Sequence, residues 1–272
     1  MLSEILASTR LRLPEVTARS EEIARAAADV PPPPSLVDAL RGPGLSVIAE
    51  VKRRSPSRGD LAPNLDPVTQ ATAYADGGAA AISVLTEPDY FLGSPEDLQA
   101  IAGRVDIPVL RKDFILDPVQ VMEAAAWGAS ALLLIVAALD DSNLAELIEV
   151  TRRTGLTPLV EVHTDDEARR ATAAGAPVIG VNNRNLADFS VDLATAERIS
   201  GLLDPSTVTV AESGIFTDAD AARMAAAGFD AILVGEALVR SPDPAALVRR
   251  LRGLSPSSET IRRRDPDAEG VR

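Results

Sequence analysis

The chain has 272 residues, 46% hydrophobic but only 3% aromatic, so it can bury a large core that must be mainly aliphatic. Its 27 basic residues face 40 acidic ones, a net charge of −13, which argues against a phosphate-backbone binder, and no nucleic acid partner is expected. Cysteine is absent, which removes disulfides, thiolate metal sites and cysteine nucleophiles and fits a reducing cytoplasm.

The first residues, MLSEILASTRLRLPEV, carry Glu4, Arg10 and Arg12 where an export signal needs an apolar stretch. No run of roughly 18 apolar residues follows anywhere, so no membrane partner is expected and the chain reads as cytoplasmic. Leu2, Ile5, Leu6 and Thr9 share one helical face, expected to break near Pro14. A second helix is expected over 18–29, then a stiff polyproline connector at PPPP, 31–34. Residues 1–45 thus form a helical extension, expected to pack on the rest and to cover the mouth of its site.

From residue 46 one unit recurs: a short apolar run, a polar turn, an Ala-rich helical segment, then Gly or Pro. The runs are SVIAEV (46–51), AAISVL (80–85), IPVLRK (107–112), ALLLIV (131–136), TPLVEV (157–162), PVIGVN (177–182), TVTVAE (207–212) and AILVGE (231–236). Helix starts are marked at Ser94-Pro95, Asp117-Pro118, Thr164 with Glu167, and Thr217-Asp218, and glycines mark the ends. Eight such units with near-continuous apolar strands require a parallel sheet covered outside, and a single (β/α)8 barrel over 46–253 is the economical solution. A doubly wound open sheet is the alternative, but VKRRSPSRG after the first run is no dinucleotide fingerprint. The last segment, 254–272, is nearly devoid of apolar residues and reads as disordered, with Arg262, Arg263 and Arg264 as a solvated charge run.

In such a barrel the chemistry lies at the C-terminal strand ends, and side chains alternate between interior and exterior. In SVIAEVK the set Ile48, Glu50, Lys52 must point inward, because covering helices would not accept a Glu-Lys pair. The same parity turns Lys112, Glu161, Asn182 and Glu212 inward at the ends of their strands. An ion-pair network holding the barrel top is the bland alternative, yet such networks are often replaceable by apolar residues without loss. Glycine turns at Glu212-Ser213-Gly214 and Gly235-Glu236 follow the seventh and eighth strands, the usual phosphate cradle of the barrel, and Ser55 reaches toward the same region. Phe91, Phe114 and Leu186 in loops, with Leu133 on the fourth strand, offer an apolar wall. His163, the single histidine, is read as a loop-packing residue, and no metal constellation is found.

Together VIAEVKRRSPSRG, ISVLTEPDYFLGSPEDL, VLRKDFILDPVQVMEAAAWGA, LVEVHTDDEARRATAAGA, IGVNNRNL, VAESGI and DAILVGEALV resemble the indole-3-glycerol phosphate synthase family over about 45–251, and LSEIL resembles its extra N-terminal helix. The resemblance implies a lyase of tryptophan biosynthesis that converts 1-(2-carboxyphenylamino)-1-deoxy-D-ribulose 5-phosphate to indole-3-glycerol phosphate, losing CO2 and water without cofactor or metal. It implies Lys112 as general acid, Glu161 as its acid-base partner, and Lys52 as a cation near carbonyl and phosphate. Glu50, Asn182, Glu212 and Ser213 complete the catalytic ring. Arg184 is implied at the substrate carboxylate, Ser55, Gly214 and Gly235 at the phosphate, and Pro56, Phe91, Phe114, Leu133 and Leu186 at the aromatic ring. Glu236 stands where many relatives have a hydroxyl residue, and Leu36 where a Phe is expected. The partner implied is this small phosphosugar-anthranilate substrate, with weak association with other tryptophan-pathway enzymes left open. Phosphoribosylanthranilate isomerase, the rival on the same fold, uses a Cys that this chain lacks, and a non-catalytic phosphate-binding barrel would need no Lys-Glu pair.

Overall fold

The computed structural model describes residues 1–42, 44–186 and 188–253, and the eight apolar runs are eight parallel strands in it. They are β1 (Ser46–Val51), β2 (Ala81–Leu85), β3 (Val109–Lys112), β4 (Ala131–Ile135), β5 (Thr157–Val162), β6 (Val178–Asn182), β7 (Val208–Glu212) and β8 (Ala231–Val234). Each pairs with its neighbours in sequence, and β8 returns to β1 from Ser46↔Ala231 to Ala49↔Val234, so the sheet closes and has no edge. The open-sheet alternative is thereby excluded. The expectation for 254–272 falls outside the described residues.

Three helices precede the barrel: α1 (Leu2–Ala18), α2 (Ser20–Ala28) and α3 (Leu36–Leu40). Around it run α4 (Pro67–Asp76), α5 (Pro88–Phe91), α6 (Pro95–Ala102), α7 (Pro118–Ala126), α8 (Asp141–Arg153), α9 (Asp165–Ala173), α10 (Ala194–Ser200), α11 (Asp218–Ala226), α12 (Glu236–Val239) and α13 (Pro244–Arg252). Their starts obey the local chemistry. Ser94, Asp117, Thr164 and Thr217 each accept a backbone N–H of the first turn, the last three within reciprocal capping boxes. After β1 the chain makes a short antiparallel ladder, Arg54–Ser55 against Gly59–Asp60.

Side-chain alternation divides the core in two. Val47, Ala49 and Val51 of β1 pack outward on the helices, while Ile48 joins Leu110, Leu159 and Val210 inside the barrel. Leu36 and Leu40 of α3 are fully buried and belong to this interior cluster with Ala81, Ala131 and Ala231, so they plug the end where the strands begin. The N-terminal extension therefore serves both ends of the barrel, not the mouth alone, because α3 lies at the opposite end from the first turn of α1.

α1 does not break at Pro14 but runs on to Ala18. Proline removes one N–H and crowds the carbonyl four residues back, and here both Pro14 and Arg10 are exposed, so the freed carbonyl lies on the solvent side of the helix. α1 is fastened to the loop after β2 by Arg12, which pairs with Asp89 at 2.6 Å and with the fully buried Glu87 at 3.3 Å. Glu87 also accepts the N–H groups of Asp89 and Tyr90, so one carboxylate ties α1 to the start of α5.

The plug role predicts that Leu40→Ala costs about 2–5 kcal/mol, the usual range for a buried Leu truncation. Leu11→Ala, at a side chain 83% exposed, should change stability by no more than about 0.5 kcal/mol. Urea unfolding of both variants is the check, and equal losses would remove α3 from the core.

Candidate active site

Each of the 16 residues singled out from the sequence lines one cavity at the C-terminal ends of the strands. Its centre is charged. Lys112 ends β3, and its Nζ lies 2.9 Å from Glu212, 3.7 Å from Glu161 and 3.9 Å from Glu50. Of the three carboxylates, Glu212 takes the hydrogen bond, with Glu161 further off. Lys52, two residues past Glu50, pairs with it at 2.6 Å. Glu50, Lys112, Glu161 and Glu212 come from β1, β3, β5 and β7, the odd strands, which supply one layer of a barrel interior.

Room for this layer is made by glycines. A Cβ on Gly180 of β6 would collide with the Glu212 carboxylate, and one on Gly235 would lie 2.5 Å from Glu50 Oε1 and 3.0 Å from Lys52 Nζ. Gly235 therefore places the turn after β8 beside Lys52. The other turn is conformationally costly: Ser213 has φ +66° and Gly214 φ +79°, and a left-handed serine persists only where its surroundings hold it. Asn183 does so, donating from its side chain to the Ser213 carbonyl at 3.1 Å while its Oδ1 accepts the Ala196 N–H. Sequence parity missed Asn183, since it points away from the cavity, although the doubled asparagine at a strand end marks it.

Burial and charge set the proton affinities. Lys112 loses hydration, which favours release of its proton, but three surrounding carboxylates prevail and hold it above the ordinary ammonium range. For Glu50 burial acts in one direction and Lys52 and Lys112 in the other, and the cations hold it below the ordinary carboxylate range. Glu212 is pushed up to about 7, chiefly by burial, with Glu161 and Glu50 adding repulsion against the pull of Lys112. Its Oε1 is buried without a hydrogen-bond partner among the described residues. The centre thus carries three carboxylates against two ammonium groups and can take up one proton near neutrality.

The walls combine apolar residues with charged ones, Arg184 and Glu236 among them. Phe91 and Phe114 face each other with ring centroids 6.3 Å apart and a tilt of 40°, beside Leu133, Leu186 and Pro56. Ser55 is buried at the foot of the ladder after β1. Asn182 accepts the Arg184 N–H at 3.0 Å, and the Arg184 guanidinium donates to the Phe189 carbonyl. His163 has its Nδ1 2.7 Å from the Asn182 carbonyl oxygen, a contact between the ends of β5 and β6. Parity arguments could not find Met1, Leu2 and Ile5, which close the cavity from α1, or Phe189 and Phe216 from loops.

A closed (β/α)8 barrel whose strand ends converge titratable groups on one cavity defines an enzyme of the barrel class built for proton transfer. Two solved barrels share the architecture: thiamine phosphate pyrophosphorylase from Pyrococcus furiosus (20% identity, TM-score 0.59, 77% of this chain and 94% of that one) and 3-hexulose-6-phosphate synthase from Salmonella typhimurium (16%, 0.60, 81% and 100%). At those identities they speak for the fold alone. The family model for indole-3-glycerol phosphate synthase matches residues 2–251. Curated relatives of that name are 51% identical in Nocardioides sp. (strain ATCC BAA-499 / JS614), over 93% of this chain and 98% of the relative, and 54% identical in Mycobacterium ulcerans (strain Agy99), over 85% of each. The chain belongs to the indole-3-glycerol phosphate synthase family, whose reaction is the decarboxylative ring closure of tryptophan biosynthesis.

Between the ordinary value of 4.5 and about 7, folded Glu212 holds a proton that the unfolded chain has released, so its burial costs stability as pH rises through that window. Glu212→Gln should therefore gain about 2–3 kcal/mol relative to the parent between about pH 5 and about pH 8. Urea unfolding at both pH values tests it, and a pH-independent difference would show that Glu212 is ionised throughout.

Proposed function

We propose that this cavity converts 1-(2-carboxyphenylamino)-1-deoxy-D-ribulose 5-phosphate to indole-3-glycerol phosphate with Lys112 as the acid. The observation that carries the assignment is the Lys112 ammonium held within 4 Å of Glu50, Glu161 and Glu212 in a pocket also lined by Phe91, Phe114, Lys52 and Arg184. The substrate ring would lie against Phe91, Phe114, Leu133, Leu186 and Pro56, its carboxylate toward Arg184, and its phosphate on the turns at Gly214 and Gly235 with Ser55.

In the first step the ring carbon attacks the ketone, the C–C bond forms, and charge develops on the carbonyl oxygen. An ammonium that keeps its proton firmly is a poor acid toward water, but an alkoxide is a stronger base than an amine, so Lys112 donates when the alkoxide appears and not before. Lys52, hydrogen-bonding distance from Glu50 and beside Gly235, stabilises the same charge and the phosphate together. Loss of CO2 then returns its bonding electrons to the ring. Departure of the hydroxyl as water consumes one proton, and removal of one ring-side proton completes the indole. Glu161, 3.7 Å from Lys112, exchanges these protons with it in this proposal, while Glu50, Glu212, Asn182 and Ser213 hold the lysines and the oxygens in position.

A non-catalytic barrel that merely binds phosphate would also have glycine turns, but it has no use for a buried carboxylate pushed up to about 7 beside a lysine. No helix among the described residues is long and apolar enough to cross a membrane, and the absence of cysteine supports a cytoplasmic setting. Weak association with other enzymes of the pathway belongs to the same proposal, and co-sedimentation of mixtures would detect it.

The two lysines should separate kinetically. Lys112→Met should lower kcat by roughly 10² to 10⁴ with little change in substrate affinity, since its charge is matched by carboxylates before substrate arrives. Lys52→Met should lower kcat and also weaken binding, because it adjoins the phosphate turn. Product fluorescence gives kcat, and direct titration of the inactive variants gives affinity. Full activity of Lys112→Met would end the acid assignment.

A further inference from the structure

Arg58 occupies the turn of the short ladder after β1 and reaches the turn after β8, the strand next to β1 in the barrel. Its Nε lies 3.6 Å from the Glu236 carboxylate, and Arg240, one helical turn beyond, approaches the other oxygen at 3.2 Å. Glu236 directly follows Gly235, lines the cavity, and has a side chain only 15% exposed. A carboxylate at this spot opposes a phosphate on the Gly235 turn unless cations offset it. A third guanidinium shares the space: burial, and then the charge of Arg58, weaken the hold of Arg184 on its proton. Arg58 and Arg184 therefore repel each other across an opening that contains Glu236 as their common carboxylate neighbour.

The contact between Arg58 and Glu236 is longer than a hydrogen bond, and Arg58 is 55% exposed, so it is an ion pair of the kind that contributes little. A dianionic phosphate offers twice the charge and paired oxygens that match the guanidinium fork. We propose that Arg58 binds the substrate phosphate, exchanging its contact with Glu236 for one with the phosphate oxygens, and that Glu236 is the placeholder that keeps it over the turns beforehand. This rests on the assignment of the phosphate to the Gly214 and Gly235 turns.

The test is steady-state kinetics of the full chain with inorganic phosphate as the competing ligand. Arg58→Ala should raise both the KM for substrate and the inhibition constant of phosphate about tenfold, with kcat within about twofold, the pattern of a lost ground-state contact. Arg58→Lys should recover part of that loss by restoring the charge without the fork. Glu236→Gln should tighten phosphate severalfold by removing the competing carboxylate. Thermal melts matching the parent establish that the variants are folded, as the exposure of Arg58 leads one to expect. If phosphate competes in the parent but Arg58→Ala leaves KM and the inhibition constant unchanged, Arg58 is not a phosphate ligand. A fall in kcat alone overturns the proposal by moving Arg58 into the chemistry, and weaker phosphate binding in Glu236→Gln overturns the placeholder. Phosphate failing to compete in the parent would instead sink the assignment of the turns, and this proposal with it.

Discussion

A buried ammonium must be neutralised where it sits, and the arrangement of this barrel follows from that requirement at Lys112. Two residues below it on β3 is Leu110, packed in an interior layer with Ile48, Leu159 and Val210. One layer higher the same four strands carry Glu50, Lys112, Glu161 and Glu212. The same geometry that packs aliphatic side chains into a solid core thus brings one cation within 4 Å of three anions, with no loop involved in the placement. Truncating Lys112 leaves three carboxylates buried without the cation they share, which costs more than the set contributes when complete.

The layer is supported from outside the barrel as well. Arg111 precedes Lys112 and, by alternation, points to the helices, where it is buried against Asp113 at 3.0 Å and Glu123 at 3.3 Å, donates to the Gln120 carbonyl at 2.7 Å, and stacks 4.3 Å from the Trp127 ring centroid. Asp113 in turn accepts the Thr86 hydroxyl and the Phe114 N–H. The RKD triplet therefore alternates functions along with faces: Lys112 serves the cavity, while its neighbours fix the strand end and the aromatic residue that follows. This also accounts for charges on both faces of a strand otherwise buried in a core.

Strand period made most of this legible in the sequence. Because successive residues face opposite sides, identifying Glu50 and Lys52 as inward was enough to orient every strand end, and the sequence-derived residues share one cavity. Loops have no such period. Phe189, Phe216 and the first turn of α1 reach the cavity through paths that depend on tertiary packing, and Asn183 acts through a backbone carbonyl that no pattern displays. The passage of α1 through Pro14 is hidden from the sequence for a related reason: whether a proline stops a helix depends on what can satisfy the freed carbonyl, and that is a matter of exposure.

A chain with a net charge of −13 that takes an anionic substrate must separate its global field from its local one. Part of the acidic excess lies at exposed helix starts, as at Asp166 and Asp218, which share the mouth's end of the barrel but complement the helix dipoles and are screened by solvent. Lys52 and Arg184 line the cavity from loops and strand ends after β1 and β6, with Arg58 outside its lining and the Glu236 carboxylate already shared between Arg58 and Arg240. Charges that line a low-dielectric cleft act over its short dimensions with little screening, so these few cations set the potential a ligand meets inside. Solubility and substrate capture thereby fall to different residues, the first to the helix surface and the second to the ring above Lys112.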